Sequence, residues 1–220
     1  MNNMNFEQAR ENMIKQQIRT WEVLDEHVLN LIAQIPRENY VPEQYKQLAY
    51  ADTEIPLGAG EIMVLPGIEA RLLQALDAKP TETVLEVGTG NGYLTALLAS
   101  TARHVISVEI RPDFSETAAR NLKDNGIHNV TLEVGDAASG WEAHAPYDVI
   151  LISGSVPVLS ENFQYSLKVG GRMVAVVGES PTMEAVLITR VGESEWTHEY
   201  LFETDIPPLR NAPEPQHFSL

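Results

Sequence analysis

Hydrophobic and polar positions follow two different rhythms in this chain, and the rhythm changes near Lys79. Before that point, Phe6, Ala9, Met13, Ile14 and Ile18 recur at helical spacing, with Glu7, Arg10 and Glu11 between them. Such a stripe predicts an amphipathic packing helix. A second helix is predicted over Asp25 to Ile35, stopped by Pro36. Pro36 to Pro42 reads as a turn-rich connector, and the polar, glycine-bearing stretch Ala49 to Gly60 as a loop near a site. Leu65 to Leu76 resumes the helical pattern.

After Lys79, short apolar runs alternate with helical segments. Val84 to Val87, Arg103 to Glu109, Val130 to Asp136 and Pro146 to Ile152 read as strands. Between the second and third lies a predicted helix, Pro112 to Asn125, closed by Gly126 just past its end. Lys168 to Arg172 reads as a turn before the strand Met173 to Gly178, and Ala185 to Val191 and Glu199 to Phe202 complete the sheet. The alternation predicts an α/β fold with a mostly parallel sheet. Residues 1–78 are expected to form a helical extension packed on a core of residues 79–220. Pro207 to Pro215 carries too much proline for regular structure. A strapped-down or loose tail is the plain expectation, and an active-site lid the sharper one.

Candidate chemistry concentrates where the first strand of the core runs into Gly88-Thr89-Gly90-Asn91-Gly92-Tyr93-Leu94. A glycine loop at a helix start is expected to present N–H groups to a ligand. The spacing is G-x-G-x-G rather than the G-x-G-x-x-G of dinucleotide folds, and Glu86 stands two residues before the first glycine. A carboxylate suits a cation better than a pyrophosphate, so the pattern favours S-adenosylmethionine, with its sulfonium and ammonium groups. A glycine turn that merely lets strand and helix pack is the alternative. Glu109 ends the second strand, where a βαβ unit delivers a carboxylate to ribose hydroxyls. Asp136 ends the third, where it can accept from an adenine amino group. The expected cofactor contacts are Glu86, Gly88, Thr89, Gly90, Gly92, Tyr93, Leu94, Glu109, Ile110, Gly135, Asp136 and Ala137.

Composition narrows the classes. The 220 residues suit one domain with decoration, and the absence of cysteine excludes disulfides, thiolate metal sites and a cysteine nucleophile. A net charge of −16 gives no basic footprint for a nucleic acid acceptor. The amino-terminal residues lack the pattern of a signal peptide, and no apolar run approaches the length of a membrane span. A cytoplasmic protein, monomeric or homodimeric, is expected. The six histidines show no metal-ligand spacing.

Over nearly its whole length the chain resembles the protein-L-isoaspartate O-methyltransferase family. The resemblance rests on Met13 to Arg19, Ile35 to Glu38, Tyr40 to Pro42, Ala49 to Asp52 and Ile55 to Gly58. It continues through Val84 to Tyr93, Asn129-Val130, Gly135-Asp136, Ala145 to Asp148 and Val169 to Arg172. The glycine loop is shared by many methyltransferases, whereas the amino-terminal segments are specific. The resemblance implies a Rossmann-like sheet with a final antiparallel strand and S-adenosylmethionine as donor, S-adenosylhomocysteine being the product. It further implies repair of isoaspartyl residues in damaged proteins or peptides.

One departure stands out. The family carries a Thr-Ile-Ser-x-Pro motif whose serine contacts cofactor and substrate; aligned on Pro66, this chain has Ile62 for the threonine and Val64 for the serine. Losing a hydrogen-bond donor weakens and disorients a bound carboxylate. Either the acceptor differs, a small hydrophobic acid or phenol for example, or Ser153, Ser155 or Tyr50 supplies the bond. Asp52, Val64 and Ser153 are the residues expected around the reaction. A carboxylate acceptor is ionised at neutral pH and needs no general base, which fits a chain without an evident His or Cys constellation. A silent cofactor-binding protein and a dehydrogenase are the remaining alternatives.

Overall fold

The computed structural model describes residues 5–215. The amino-terminal part contains α1 (Phe6–Gln16), α2 (Glu26–Gln34), a short hairpin of β1 (Ile55–Gly58) and β2 (Glu61–Met63), and α3 (Pro66–Leu76). Asn5 and Asp25 cap the first two helices through their side chains, and Pro66 occupies the first turn of α3. The core follows as β3 (Thr83–Val87), α4 (Tyr93–Thr101), β4 (His104–Glu109), α5 (Pro112–Asp124), β5 (Val130–Val134), β6 (Tyr147–Val156), α6 (Glu161–Tyr165), β7 (Leu167–Glu179), β8 (Thr182–Gly192) and β9 (Glu195–Thr204).

Seven strands form one sheet in the order β5-β4-β3-β6-β7-β8-β9. From β5 to β7 all pairings are parallel, while β8 is antiparallel to both its neighbours. The one reversed strand therefore lies inside the sheet, and β9 forms the edge. The chain leaves β3 towards β5 and then returns to β6 on the other side. The crevice where strand order reverses is where open α/β sheets bind ligands.

Period two sorts the strand residues between two apolar layers. Val84, Val105, Val149, Leu151, Val174 and Val176 join one layer, together with residues of α1 to α4. Leu85, Ile106, Ile150, Ile152, Met173 and Ala175 join the other, covered by Phe163 of α6 and by Trp141 and Trp196. The first layer runs without a break from Met13 to Ile206, so the amino-terminal helices share a core with the sheet.

Three expectations change. The strand expected to end at Ile152 continues through Ser153-Gly154-Ser155 to Val156, so β6 is longer than its apolar run. Lys168 to Arg172 is a bulge within β7, since Tyr147 pairs with Leu167 and Val149 already with Arg172. The turn-rich connector Pro36 to Pro42 is packed inward: it holds a short 3-10 helix in which Arg37 is only 1% exposed. Among the described residues no helix is long and apolar enough to cross a membrane.

Candidate active site

A pocket with about 740 Å³ of open space, its mouth included, lies over the carboxyl ends of β3, β4, β5 and β6. Its floor is the glycine loop. Gly88 has φ +93° and Gly92 φ +85°, both in the left-handed region. A Cβ on Gly88 would stand 2.5 Å from Ser153 Oγ, and one on Gly92 would stand 3.2 Å from Ala118 Cβ. The glycines thus let β3, β6 and α5 close on the loop.

The loop is not a phosphate cradle. The N–H of Gly88 donates to Val108 O, that of Gly90 to Glu109 Oε2, that of Gly92 to Thr89 O, and that of Tyr93 to Asn91 Oδ1. The expectation that the loop offers free donors to a ligand is corrected at these four positions. What faces the pocket is acid: Glu61, Glu109 and Asp136 line it, against the single cation Arg210.

Glu109 Oε2 accepts from Gly90 N at 3.0 Å and Oε1 accepts from Arg111 N at 3.0 Å. A carboxylate has about four acceptor sites, so each oxygen keeps capacity for a ribose hydroxyl. Asp136 Oδ1 accepts from Ala138 N at 3.1 Å, while its Oδ2 lines the same side of the pocket and accepts from Asn211 Nδ2 at 2.8 Å. Ile110, Ala137 and Ala138 supply apolar wall between the two acids, as a purine requires. These residues fit S-adenosylmethionine: an acidic, partly apolar pocket for a cation that carries an adenosine.

Other sequence candidates lie elsewhere. Glu86, Thr89, Gly92, Tyr93 and Leu94 do not line the pocket. Glu86 is fully buried beneath the loop, where Oε2 accepts from Thr95 Oγ1 at 2.5 Å and Ser107 Oγ at 2.6 Å. Burial pushes its carboxyl up to about 7, against the lowering effect of those two hydroxyls. The expectation that Glu86 meets a cofactor cation is corrected: one residue inside the end of β3, it is sealed by α4. The Thr89 hydroxyl pairs with that of Ser107 at 2.6 Å. The Tyr93 ring lies against Tyr40 at 5.4 Å and beneath the Arg37 guanidinium at 5.1 Å, and Leu94 packs in the core. Asp52 is exposed in the bend before β1 and is not among the pocket residues.

On the acceptor side, Ile62 and Val64 do line the pocket. Val64 is held from behind, since Arg37 Nη2 donates to its carbonyl at 2.7 Å while the same guanidinium pairs with Glu69. Of the hydroxyls expected to replace the missing serine, only Ser153 reaches the pocket, and its Oγ donates to the carbonyl of Val87 or Gly88. Ser155 Oγ donates to Ile206 O, and Tyr50 donates to Glu38 while accepting from Arg10. The wall is therefore aliphatic with one committed hydroxyl.

The tail completes the site. Pro207 O accepts from Ser155 N, and Leu209 N donates to Ser155 O at 2.8 Å, which ties the tail to β6. Leu209 then crosses Gly154, whose absent side chain makes room: a Cβ there would meet Leu209 Cδ2 at 2.8 Å. Arg210 Nε donates to Glu61 Oε1 at 2.7 Å and Nη2 to Ala59 O at 2.7 Å. Residues 207–211 thus strap β6, the hairpin and Asp136 together over the pocket; residues 216–220 of the tail lie outside the described residues. Leu57, Phe114, Leu209 and Arg210 are pocket residues that the sequence reading missed. Only the proline spacing hinted at the last two.

A family model described as protein-L-isoaspartate(D-aspartate) O-methyltransferase matches residues 8–211. A protein-L-isoaspartate O-methyltransferase of Rhodopseudomonas palustris is 36% identical over 209 residues, 92% of this chain and 96% of its own. Protein-L-isoaspartate O-methyltransferase 1 of Archaeoglobus fulgidus is 37% identical over 197 residues, 88% of this chain and 91% of its own. A solved protein-L-isoaspartate O-methyltransferase structure superposes with a TM-score of 0.78 at 26% identity, covering 91% of this chain and 65% of that longer one. A candidate protein-L-isoaspartate O-methyltransferase from Plasmodium falciparum, in complex with S-adenosyl-L-homocysteine, shares the fold. Its TM-score is 0.77 at 23% identity, over 94% of this chain and 99% of that one. With a family model spanning nearly all of it, the chain belongs to the protein-L-isoaspartate(D-aspartate) O-methyltransferase family.

Proposed function

We propose that this protein transfers a methyl group from S-adenosylmethionine to the side-chain carboxylate of isoaspartyl residues in damaged proteins or peptides. The observation that carries the reading is the pocket over β3 to β6, lined by Glu109 at the end of β4 and by Asp136 just past the end of β5. Family membership supports the acceptor. The bound cofactor would supply a methyl carbon already activated on a sulfonium, leaving S-adenosylhomocysteine.

The chain's own groups then have three tasks. Glu109 and Asp136 hold the ribose and adenine ends and fix the reach of the cofactor. The acidic lining favours a cationic ligand over a dinucleotide. The hairpin and the tail strap cover the reacting end, which strengthens polar interactions there by excluding water. No side chain has to remove a proton from the acceptor, because a carboxylate is already ionised. The contribution of the protein is alignment of nucleophile, methyl and leaving group.

The test is methyl transfer from labelled S-adenosylmethionine to an isoaspartyl peptide, with the aspartyl peptide as control. Transfer to the isoaspartyl peptide alone is expected. Cofactor binding without transfer would refute the acceptor assignment. It would favour the second reading that Ile62 and Val64 motivate, a small hydrophobic acid or phenol on the same scaffold.

A further inference from the structure

We infer that Arg210 is the acceptor-carboxylate anchor of this site, in place of the hydroxyl that Val64 lacks. The inference rests on the reading above that the acceptor is a carboxylate.

The acceptor is an anion, yet the pocket it must enter carries Glu61, Glu109 and Asp136. Bringing a further negative charge among three acids into a partly desolvated site is unfavourable unless a donor or a cation meets it. No hydroxyl on the hairpin wall can, since Ile62 and Val64 are aliphatic and Ser153 already donates to the backbone. The only cationic side chain among the pocket residues is Arg210. It is placed by the strap next to Leu209, whose side chain lies over Gly154 at the β6 end of the pocket, while Asn211 on its other side donates to Asp136.

The guanidinium has capacity to spare. Nε serves Glu61 and Nη2 serves the Ala59 carbonyl, whereas Nη1 has no hydrogen-bond partner among the described residues. An arginine presents five donors in a planar fork suited to carboxylates. The same contacts make Glu61 a competitor: it holds Arg210 at 2.7 Å and offsets its charge. Glu61 and Arg210 are then a matched pair in which the acid keeps the cation over the pocket until an acceptor carboxylate shares it. The specificity contact has moved from the hairpin to the tail.

The experiment measures KM and kcat for the isoaspartyl peptide, and the Kd of S-adenosylhomocysteine, in wild type, Arg210→Gln, Glu61→Gln and Arg210→Gln/Val64→Ser. Arg210 is about half exposed, and thermal unfolding checks that each variant is folded. Arg210→Gln is expected to raise peptide KM roughly tenfold, the loss of one charge-assisted hydrogen bond in a half-exposed site. Glu61→Gln is expected to lower it, because the freed cation meets the acceptor without competition. Val64→Ser in the Arg210→Gln background is expected to recover part of the loss. If Arg210 only clasps the strap, both single variants raise KM, and the inference fails. An Arg210→Gln effect confined to S-adenosylhomocysteine affinity would assign the arginine to the cofactor's carboxylate and also overturn it. A wild-type protein that binds cofactor and leaves the peptide unmethylated would overturn the acceptor reading itself, whereas an active wild type with unchanged KM in Arg210→Gln would overturn this inference alone.

Discussion

Replacing Glu86 with glutamine should change the way stability depends on pH. The native Glu86 carboxyl is fully buried, and its Oε1 has no hydrogen-bond partner among the described residues. Burial holds its carboxyl at about 7, against an ordinary value of 4.5. Below about pH 4.5 the group is protonated in both native and unfolded chains. Between the two values only the native chain keeps the proton, so stability falls as pH rises, and the loss is complete above about 7. Moving from 4.5 to about 7, at about 1.4 kcal/mol for each pH step of one, gives a loss of roughly 3 kcal/mol. Glutamine cannot titrate. It should carry a constant cost for its unpaired amide and none of the pH dependence. The assay is equilibrium urea unfolding of both proteins at several values between about pH 4.5 and 8.5. The wild-type advantage over Glu86→Gln should shrink by roughly 3 kcal/mol across that range. A gap that stays constant with pH would show that the carboxyl ionises in place, and the argument from burial would be wrong.

Two further outcomes test other parts of the site. Arg37→Met leaves Glu69 buried and unpaired and the Val64 carbonyl without its donor, so urea unfolding should show a loss of about 3–5 kcal/mol. Adding Glu69→Met should restore most of it, though not the share due to the carbonyl, about 1–3 kcal/mol. Glu109→Ala should raise the Kd of S-adenosylhomocysteine about a hundredfold in calorimetric titration, as two charge-assisted hydrogen bonds are lost together with the brace on Gly90. An unchanged Kd would place the ribose elsewhere.

Local sequence determined the scaffold. Apolar runs of strand length, separated by helical segments, specify βαβ units because side-chain period and connection handedness leave little freedom. The glycine loop, Glu109 and Asp136 were legible for the same reason, since each sits at a strand end whose position the repeat defines. Neither the pattern nor the spacing revealed depth. Glu86 and Glu109 stand on equivalent faces of adjacent strands, yet Glu109 ends its strand in the pocket while Glu86 lies inside and is roofed by α4. The loop's N–H groups were expected to be free and proved to be used internally, because Val108 and Glu109 come from the neighbouring strand. The reacting end was decided by tertiary structure alone. Glu61 comes from the hairpin and Arg210 from the tail, about 150 residues apart, and only closure of the strap onto β6 brings their charges together. Contacts of that separation leave no periodic trace in the chain. They depend on which surfaces remain to be covered once the sheet has formed.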